Sequence, residues 1–368
     1  MMCMEISLDQ ARQRMVSWHQ LCEPTQGPEK VRSILHQLRC IQLDPLDRIG
    51  TNADLVVFAR ADGLKRGDVH RQLQPGAAFE HFAKERCLLP SSAFPYYRDQ
   101  AVETPWWRLT ERLTKISEQL LADVLAEIGE RGALRADQLT PRGKVEAMDW
   151  AGWKGTSKAS TMALEVLWTR CQVVTAKREG NTRWYDLPSR TLSTWDHPTE
   201  DTFQRWALRE RALATGLLTP NAGPQWSMLS KVRTSPLPAQ MVKAGELVQV
   251  TLPGVKKSYF AAPQWFEHTV AEPDDRMRVL GPLDPLLWDR DLVKQLFHFD
   301  YVWEVYKPEA QRKWGWYVCP LLHRGHLVGR LEAHREDGKI KIDRLWKEAE
   351  DFDSRALDEA IDRLSATL

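Results

Sequence analysis

Two stretches of this chain spell the same order of elements, and that repetition narrows the possible folds more than any other feature. The first is a helical pattern ending near Cys171, the strand Val173-Val174-Thr175, a turn at Arg178-Glu179-Gly180-Asn181 and a returning strand Trp184-Tyr185-Asp186-Leu187. The second has helical patterns within residues 202–213 and around 239–243, a strand over 247–251, the turn Pro253-Gly254, then Lys256-Lys257 and the pair Tyr259-Phe260. In both, an aromatic stands three residues before a proline, Tyr185 before Pro188 and Phe260 before Pro263. A helix followed by a basic hairpin with Gly and Asn at its tip predicts a winged helix. Two matched stretches fit tandem copies of one module.

The flanking regions extend this pattern. A helix is predicted over residues 8–21 and another over 29–39, where Val31, Ile34, Leu35 and Leu38 recur at helical spacing behind Gly27 and Pro28. Leu109, Leu113, Ile116, Leu120, Val124 and Ile128 keep the same spacing until Gly129 and Gly132 end the run. Ser157 is a candidate cap for the helix that follows. From 276 to 346 the pattern changes to short strands, among them Trp303-Glu304-Val305-Tyr306, Trp316-Tyr317-Val318 and 327–331, as in a small antiparallel sheet or barrel. Residues 354–367 predict a closing amphipathic helix. The expected fold is α+β, with winged-helix regions at 1–95, 96–195 and 196–272 and a C-terminal antiparallel β domain at 273–368.

Composition agrees with a folded, multi-module chain: of 368 residues, 43% are hydrophobic and 27% charged, which excludes disorder as the main state. Cys3, Cys22, Cys40, Cys87, Cys171 and Cys319 are scattered and form no C-x-x-C or C-x-x-H pair, which argues against zinc, iron–sulfur and a disulfide framework. No apolar run is long enough for a signal peptide or membrane span, so a reduced cytoplasmic protein is expected. A net charge of +1 gives the whole molecule no bias toward nucleic acid. The distribution does: residues 154–185 hold six basic side chains against Glu165 and Glu179, and 231–257 hold five against Glu246. The acids gather instead over 332–359, which permits one cationic face.

After the second helix comes Cys40-Ile41-Gln42-Leu43-Asp44-Pro45. The proline disfavours helix at Asp44 and favours extended backbone there. With a side-chain period of two, Gln42 and Asp44 would share one face while Leu43 points into the core. An amide beside a carboxylate suits hydrolysis of an N-glycosidic bond: Asp44 stabilises charge developing on the sugar, and both groups hold and activate a water. Taken alone, a Gln-x-Asp before a proline reads more readily as a turn or a cap.

Wider stretches carry more. Ile41 to Asp44 with 55–60, then Glu80-His81-Phe82-Ala83-Lys84-Glu85-Arg86-Cys87-Leu88-Leu89-Pro90, and Gly281-Pro282-Leu283-Asp284-Pro285-Leu286-Leu287-Trp288-Asp289-Arg290, resemble the AlkZ and YcaQ family of bacterial DNA glycosylases. So do Leu296-Phe297, Phe299-Asp300-Tyr301, Tyr306 with Pro308, and residues 321–330. The resemblance spans nearly the whole chain and is most specific toward its C-terminal end. It implies tandem winged helices with a small β domain, and a catalytic Gln-apolar-Gln or Gln-apolar-Asp motif, the second form matched by Gln42 and Asp44. It further implies excision of N7-alkylguanine and N3-alkyladenine, unhooking of interstrand crosslinks, and no metal, cofactor or lyase chemistry. The implied partner is double-stranded DNA carrying alkylated or crosslinked purines, bound by a monomer away from membranes. This chain departs from the family at Pro45, where Thr or Ser is usual, at Asp47 for Asn, and at Lys84 for His.

Candidates for phosphate contacts are Lys154, Lys158, Lys177, Arg178 and Arg183 on one expected recognition helix and wing, with Lys256 and Lys257 on the other and Lys231 and Arg233 nearby. Surface lysines are more often solvated decoration. His323 and His326 flank an Arg-Gly turn with no carboxylate or cysteine at ligand spacing, which favours a structural role. Trp106, Trp107, Trp150, Trp153 and Trp168 are expected in cores or interfaces. No dinucleotide fingerprint, P-loop or nucleophile elbow occurs. The rival to an enzyme is a non-catalytic winged-helix DNA-binding protein or transcription regulator, in which Gln42-x-Asp44 would have only a local capping role.

Overall fold

The computed structural model describes residues 3–103, 109–147 and 155–368. The chain is α+β and divides into two compact units, the first made of Met1–Val69, Phe82–Cys87 and Gln204–Leu368, the second of His70–His81 and Leu88–Phe203.

The first unit opens on strand Cys3–Glu5 and helix Leu8–Trp18. Ser7 starts that helix with a capping box: its hydroxyl accepts the Gln10 N–H while the Gln10 side chain takes the Ser7 N–H. The helix stops short of the predicted residue 21 because Gln20 adopts a left-handed φ of 55°. Helix Lys30–Leu38 buries Val31, Ile34, Leu35 and Leu38, as their spacing requires, and delivers the chain directly into strand Ile41–Gln42. Strand Cys3–Glu5 pairs in parallel with Val248–Thr251, itself antiparallel to Tyr259–Ala261, so the second predicted hairpin is present with an N-terminal strand added. Pro263 begins helix Pro263–Glu267 at once. Their shared core joins Met15 and Trp18 to Leu213, Val250, Tyr259, Trp265, Leu292 and Phe299.

The same unit ends in a four-stranded antiparallel sheet running in sequence order, Arg278–Val279, Val318–His323, His326–Glu336 and Lys339–Lys347. Helix Ser354–Ser365 closes it, laying Ala356, Leu357, Ala360 and Leu364 against Tyr317, Leu321, Leu331 and Ile340. Trp303-Glu304-Val305-Tyr306, predicted as a strand, is irregular chain ending in a turn. Glu304 explains why: its buried carboxylate accepts the backbone N–H groups of Lys313 and Trp314 and the Lys307 ammonium, and so organises a loop rather than a ladder.

In the second unit the predicted helix from 109 onward is two, Leu109–Leu113 and Glu118–Arg131. Ser117 between them is extended, with φ −90° and ψ 156°, and its hydroxyl caps the second helix through the Leu120 N–H. That helix runs through Gly129, and Gly132 at φ 83° ends it. Ser157 is no cap: it lies in strand Thr156–Lys158, paired with Lys144–Glu146, and Lys158 takes the N-cap position of helix Ala159–Thr169 without a side-chain bond. The hairpin Val174–Glu179 and Thr182–Asp186 turns at Gly180-Asn181, the second half of the predicted turn, while Arg178 and Glu179 extend the strand. Its sheet runs Leu134–Arg135, Thr182–Asp186, Val174–Glu179. Pro188 starts a short helix, Pro188–Thr191, as Pro263 does in the first unit. Trp168 is buried and stacks on His81, while Trp106, Trp107, Trp150 and Trp153 lie outside the described residues.

Candidate active site

Strand Ile41–Gln42 ends at Gln42, and Leu43 continues only one bond further, its N–H donating to the Arg86 carbonyl. Gln42 is buried, at 7% exposure, and held at both ends. Its backbone carbonyl accepts from Asn52 Nδ2 at 2.8 Å, and its side-chain Oε1 accepts from Lys84 Nζ at 2.6 Å. Asn52 in turn accepts the Leu283 N–H at 3.1 Å, and the Leu283 carbonyl accepts the Trp288 indole N–H at 3.0 Å. The circuit closes where the Lys84 ammonium lies 5.1 Å from the centroid of a Trp288 ring. Gly281 belongs to it by close approach, since a Cβ there would stand 2.8 Å from Asn52 Oδ1. Three distant stretches, 42–52, 84 and 281–288, thus converge on one amide.

Leu43 is half-buried rather than a core residue, because the strand has ended and the chain is turning. Asp44 makes that turn: its Oδ1 accepts the Leu46 N–H at 2.9 Å across Pro45, an Asx turn. Proline suits this position because its ring fixes φ and it has no N–H to satisfy. Burial raises the Asp44 carboxyl above its ordinary value, and the Leu46 N–H only partly offsets the effect. Among the described residues the other oxygen has no hydrogen-bond partner and is not enclosed, and no hydrogen bond joins the Gln42 side chain to Asp44. Two phenols feel the Asp44 charge. Tyr306, 86% exposed, is pushed up by partial desolvation and then by Asp44 and Glu85. Tyr317 is buried and pushed up well beyond its usual value by burial first, with Cys319 and Asp44 adding to it. Asp47, the second departure, turns away to pair with Arg66 and Arg335.

The expected phosphate-binding cations divide into two groups. Lys158 and Lys256 are exposed. Lys177 pairs with Glu179 and lies over Trp184, and Lys257 faces Asp291 across 3.8 Å. Arg178 and Arg183 are engaged inside the second unit. Arg178 grips the fully buried Glu80 through Nε and Nη2, at 2.5 and 2.6 Å, and Arg183 reaches Glu165 at 3.1 Å. Burial alone would raise the Glu80 carboxyl, but Arg178 outweighs it and holds it below the usual range. Lys154 lies outside the described residues. His323 is buried, its Nε2 set against the Asp275 carbonyl at 3.1 Å, and it pairs with His326 across the Arg324-Gly325 turn. Among the described residues no group of three or more His, Cys, Asp or Glu side chains is placed to hold a metal ion, and no helix is long and apolar enough to cross a membrane. All six cysteines are free thiols.

Sequence reasoning missed Lys84, Asn52 and Trp288 as members of the site. Lys84 had a signal, a basic residue where a related pattern carries His. Trp288 had none beyond lying in a matching stretch, and Asn52 had none at all.

Comparison with known proteins gives two findings. The family described as AlkZ-like, DNA glycosylase AlkZ-like, matches residues 35–367. Among solved structures, the Streptomyces sahachiroi DNA glycosylase AlkZ superposes with a TM-score of 0.62 at 19% identity, over 99% of this chain and 97% of that one. At that identity the likeness is one of fold.

Proposed function

Since the chain belongs to the AlkZ-like family of DNA glycosylases, we propose that it excises alkylated purines, N7-alkylguanine and N3-alkyladenine, from duplex DNA and unhooks interstrand crosslinks built on them. Gln42 and Asp44 are the working pair. The observation that carries this reading is the Asp44 carboxylate, raised by burial and with one oxygen left uncommitted, two residues after a glutamine held at its backbone carbonyl and at its side-chain oxygen.

The chemistry follows from the substrate. An N7-alkylated guanine is already cationic, so its glycosidic bond breaks with the electron pair leaving on a neutral base and needs no strong general acid. Positive charge then grows on the sugar carbon and ring oxygen, where Asp44 offers electrostatic stabilisation in a partly desolvated setting. A water held by Asp44 and Gln42 adds to that carbon, and its proton passes to Asp44 and on to solvent. The reaction is monofunctional in this reading, with no covalent intermediate. The DNA is held by winged-helix modules, the hairpins 174–186 and 248–261 as wings, with Lys158, Lys177, Lys256 and Lys257 as phosphate contacts and Arg178 and Arg183 as internal supports. The four serial regions, a monomeric state and a cytoplasmic location belong to the same proposal.

Base release from methylated duplex DNA tests it. Wild-type protein is expected to release 7-methylguanine in the presence of EDTA, and Asp44→Ala is expected to lose at least about a hundredfold in rate with its fold intact. Full activity in Asp44→Ala overturns the mechanism. A sequence-specific footprint without base release would instead make the chain a DNA-binding regulator.

A further inference from the structure

The two ends of the Gln42 carboxamide are alike in shape and opposite in chemistry: Oε1 only accepts and Nε2 only donates. A lysine ammonium donates and has nothing to accept with. Lys84 Nζ, 2.6 Å from one end of that amide, therefore requires the oxygen there. The lysine is itself fixed. It is 5% exposed, its ammonium lies against Trp288, and that indole is anchored on the Leu283 carbonyl. Asn52 holds the Gln42 main chain from the other side. Among the described residues no acceptor takes the Gln42 Nε2 hydrogens, and Nε2 is not among the enclosed atoms that lack a partner, so it reaches solvent.

We propose that Lys84 is the positioning residue of this site: it clamps Gln42 Oε1 so that the amide offers only its Nε2 hydrogens to the reaction, leaving Asp44 the sole acceptor of the pair. The inference rests on the reading of Gln42 and Asp44 as the working residues. It gives the attacking water one orientation. One lone pair accepts from Gln42 Nε2, one O–H donates to Asp44, and the remaining lone pair faces the sugar carbon. A freely rotating amide would present its oxygen half the time, where it competes with Asp44 for the same proton and turns that lone pair away.

The clamp has a pH limit. Burial lowers Lys84 to about 8. The titratable and charged groups facing it are Cys87, Cys40 and Glu85, which favour the ammonium, and Arg211, which opposes it. A neutral amine both donates and accepts, so above that pH it no longer distinguishes the two ends of the amide.

The test reads orientation first and rate second. In full-length protein labelled with nitrogen-15 at glutamine side chains, the Gln42 resonance is assigned by its loss in Gln42→Ala and followed by NMR through the range around 8. It is expected to shift with the apparent pKa of Lys84 in the wild type and to stay fixed in Lys84→Met. A resonance that does not shift in the wild type, or that shifts equally in Lys84→Met, overturns the proposal. The wild-type titration decides alone if Lys84→Met does not fold, and none of it requires activity.

On methylated duplex DNA at single turnover, Lys84→Met is expected to slow base release roughly tenfold without weakening DNA binding, and Lys84→Arg to recover part of that loss. The double variant Lys84→Met/Gln42→Ala is expected to be no slower than Gln42→Ala alone. Additive losses overturn the clamp and leave the glycosylase reading standing. If the wild type releases no base, that reading falls, and the resonance still judges the clamp.

Discussion

Asp44 works against the fold it sits in, and that is where its role can be measured. Because folding raises its pKa, the protonated form is favoured by the native state. The sign follows: the stabilisation from protonation is complete below the ordinary value of 3.8 and is lost as pH rises through the raised native value. At neutral pH the ionised carboxylate is therefore a cost. Asp44→Asn keeps the oxygen that accepts the Leu46 N–H and removes the charge, so its melting temperature at pH 7 is expected to equal or exceed that of the wild type while base release is lost. Calorimetry beside a glycosylase assay checks both. The wild-type rate is also expected to fall on the acid side with an apparent pKa above 3.8, and a pH–rate profile without that limb contradicts the role given to Asp44. The Gln-x-Asp-Pro string singled these two residues out, although the period-two reading stops at Gln42, where the strand ends and Asp44 makes a turn across Pro45. Lys84 was not legible in the same way. Its bond to Gln42 crosses 42 positions of chain, and only the fold puts an ammonium against that particular oxygen.

Elements were legible where periodicity and turn residues agreed. Helix Lys30–Leu38 and both hairpins came through because their apolar spacing and their Gly, Asn and Pro punctuation pointed the same way. Two of the failures share a cause: a local pattern lost to a side chain with other commitments. Ser117 broke an unbroken apolar spacing by capping, and Glu304 drew a strand-like run into a loop. Arg178 shows a related competition, since its place in the hairpin suggested a phosphate and the buried Glu80 takes its Nε and Nη2. Removing one partner of such a pair strands a buried charge, so Arg178→Ala is expected to lose about 3 kcal/mol of stability. Pairing it with Glu80→Gln should restore part of the loss. Denaturant titrations give both values, and an Arg178→Ala protein of unchanged stability that binds DNA weakly would return this residue to the DNA-contacting set.

At the scale of the molecule, the first unit is assembled from stretches that the sequence holds far apart. Its N-terminal strand pairs with residues 248–251, a parallel ladder of three residues whose partner no local pattern could announce. A fully buried ion pair in it is also long-range. Arg60 and Asp284, both fully enclosed, meet through two hydrogen bonds at 2.7 and 2.9 Å, and Arg60 also donates to the His19 and Val56 carbonyls. Asp284→Ala is expected to destabilise this unit by roughly 3–5 kcal/mol, read as a fall in its thermal transition. The same stretch contains Gly281, whose missing side chain leaves space for the Asn52 oxygen. Inherited variation at this glycine would act through a neighbour: adding a single methyl group would press on Asn52 and loosen the Gln42 carbonyl it holds, although position 281 lies outside the Gln-x-Asp string itself.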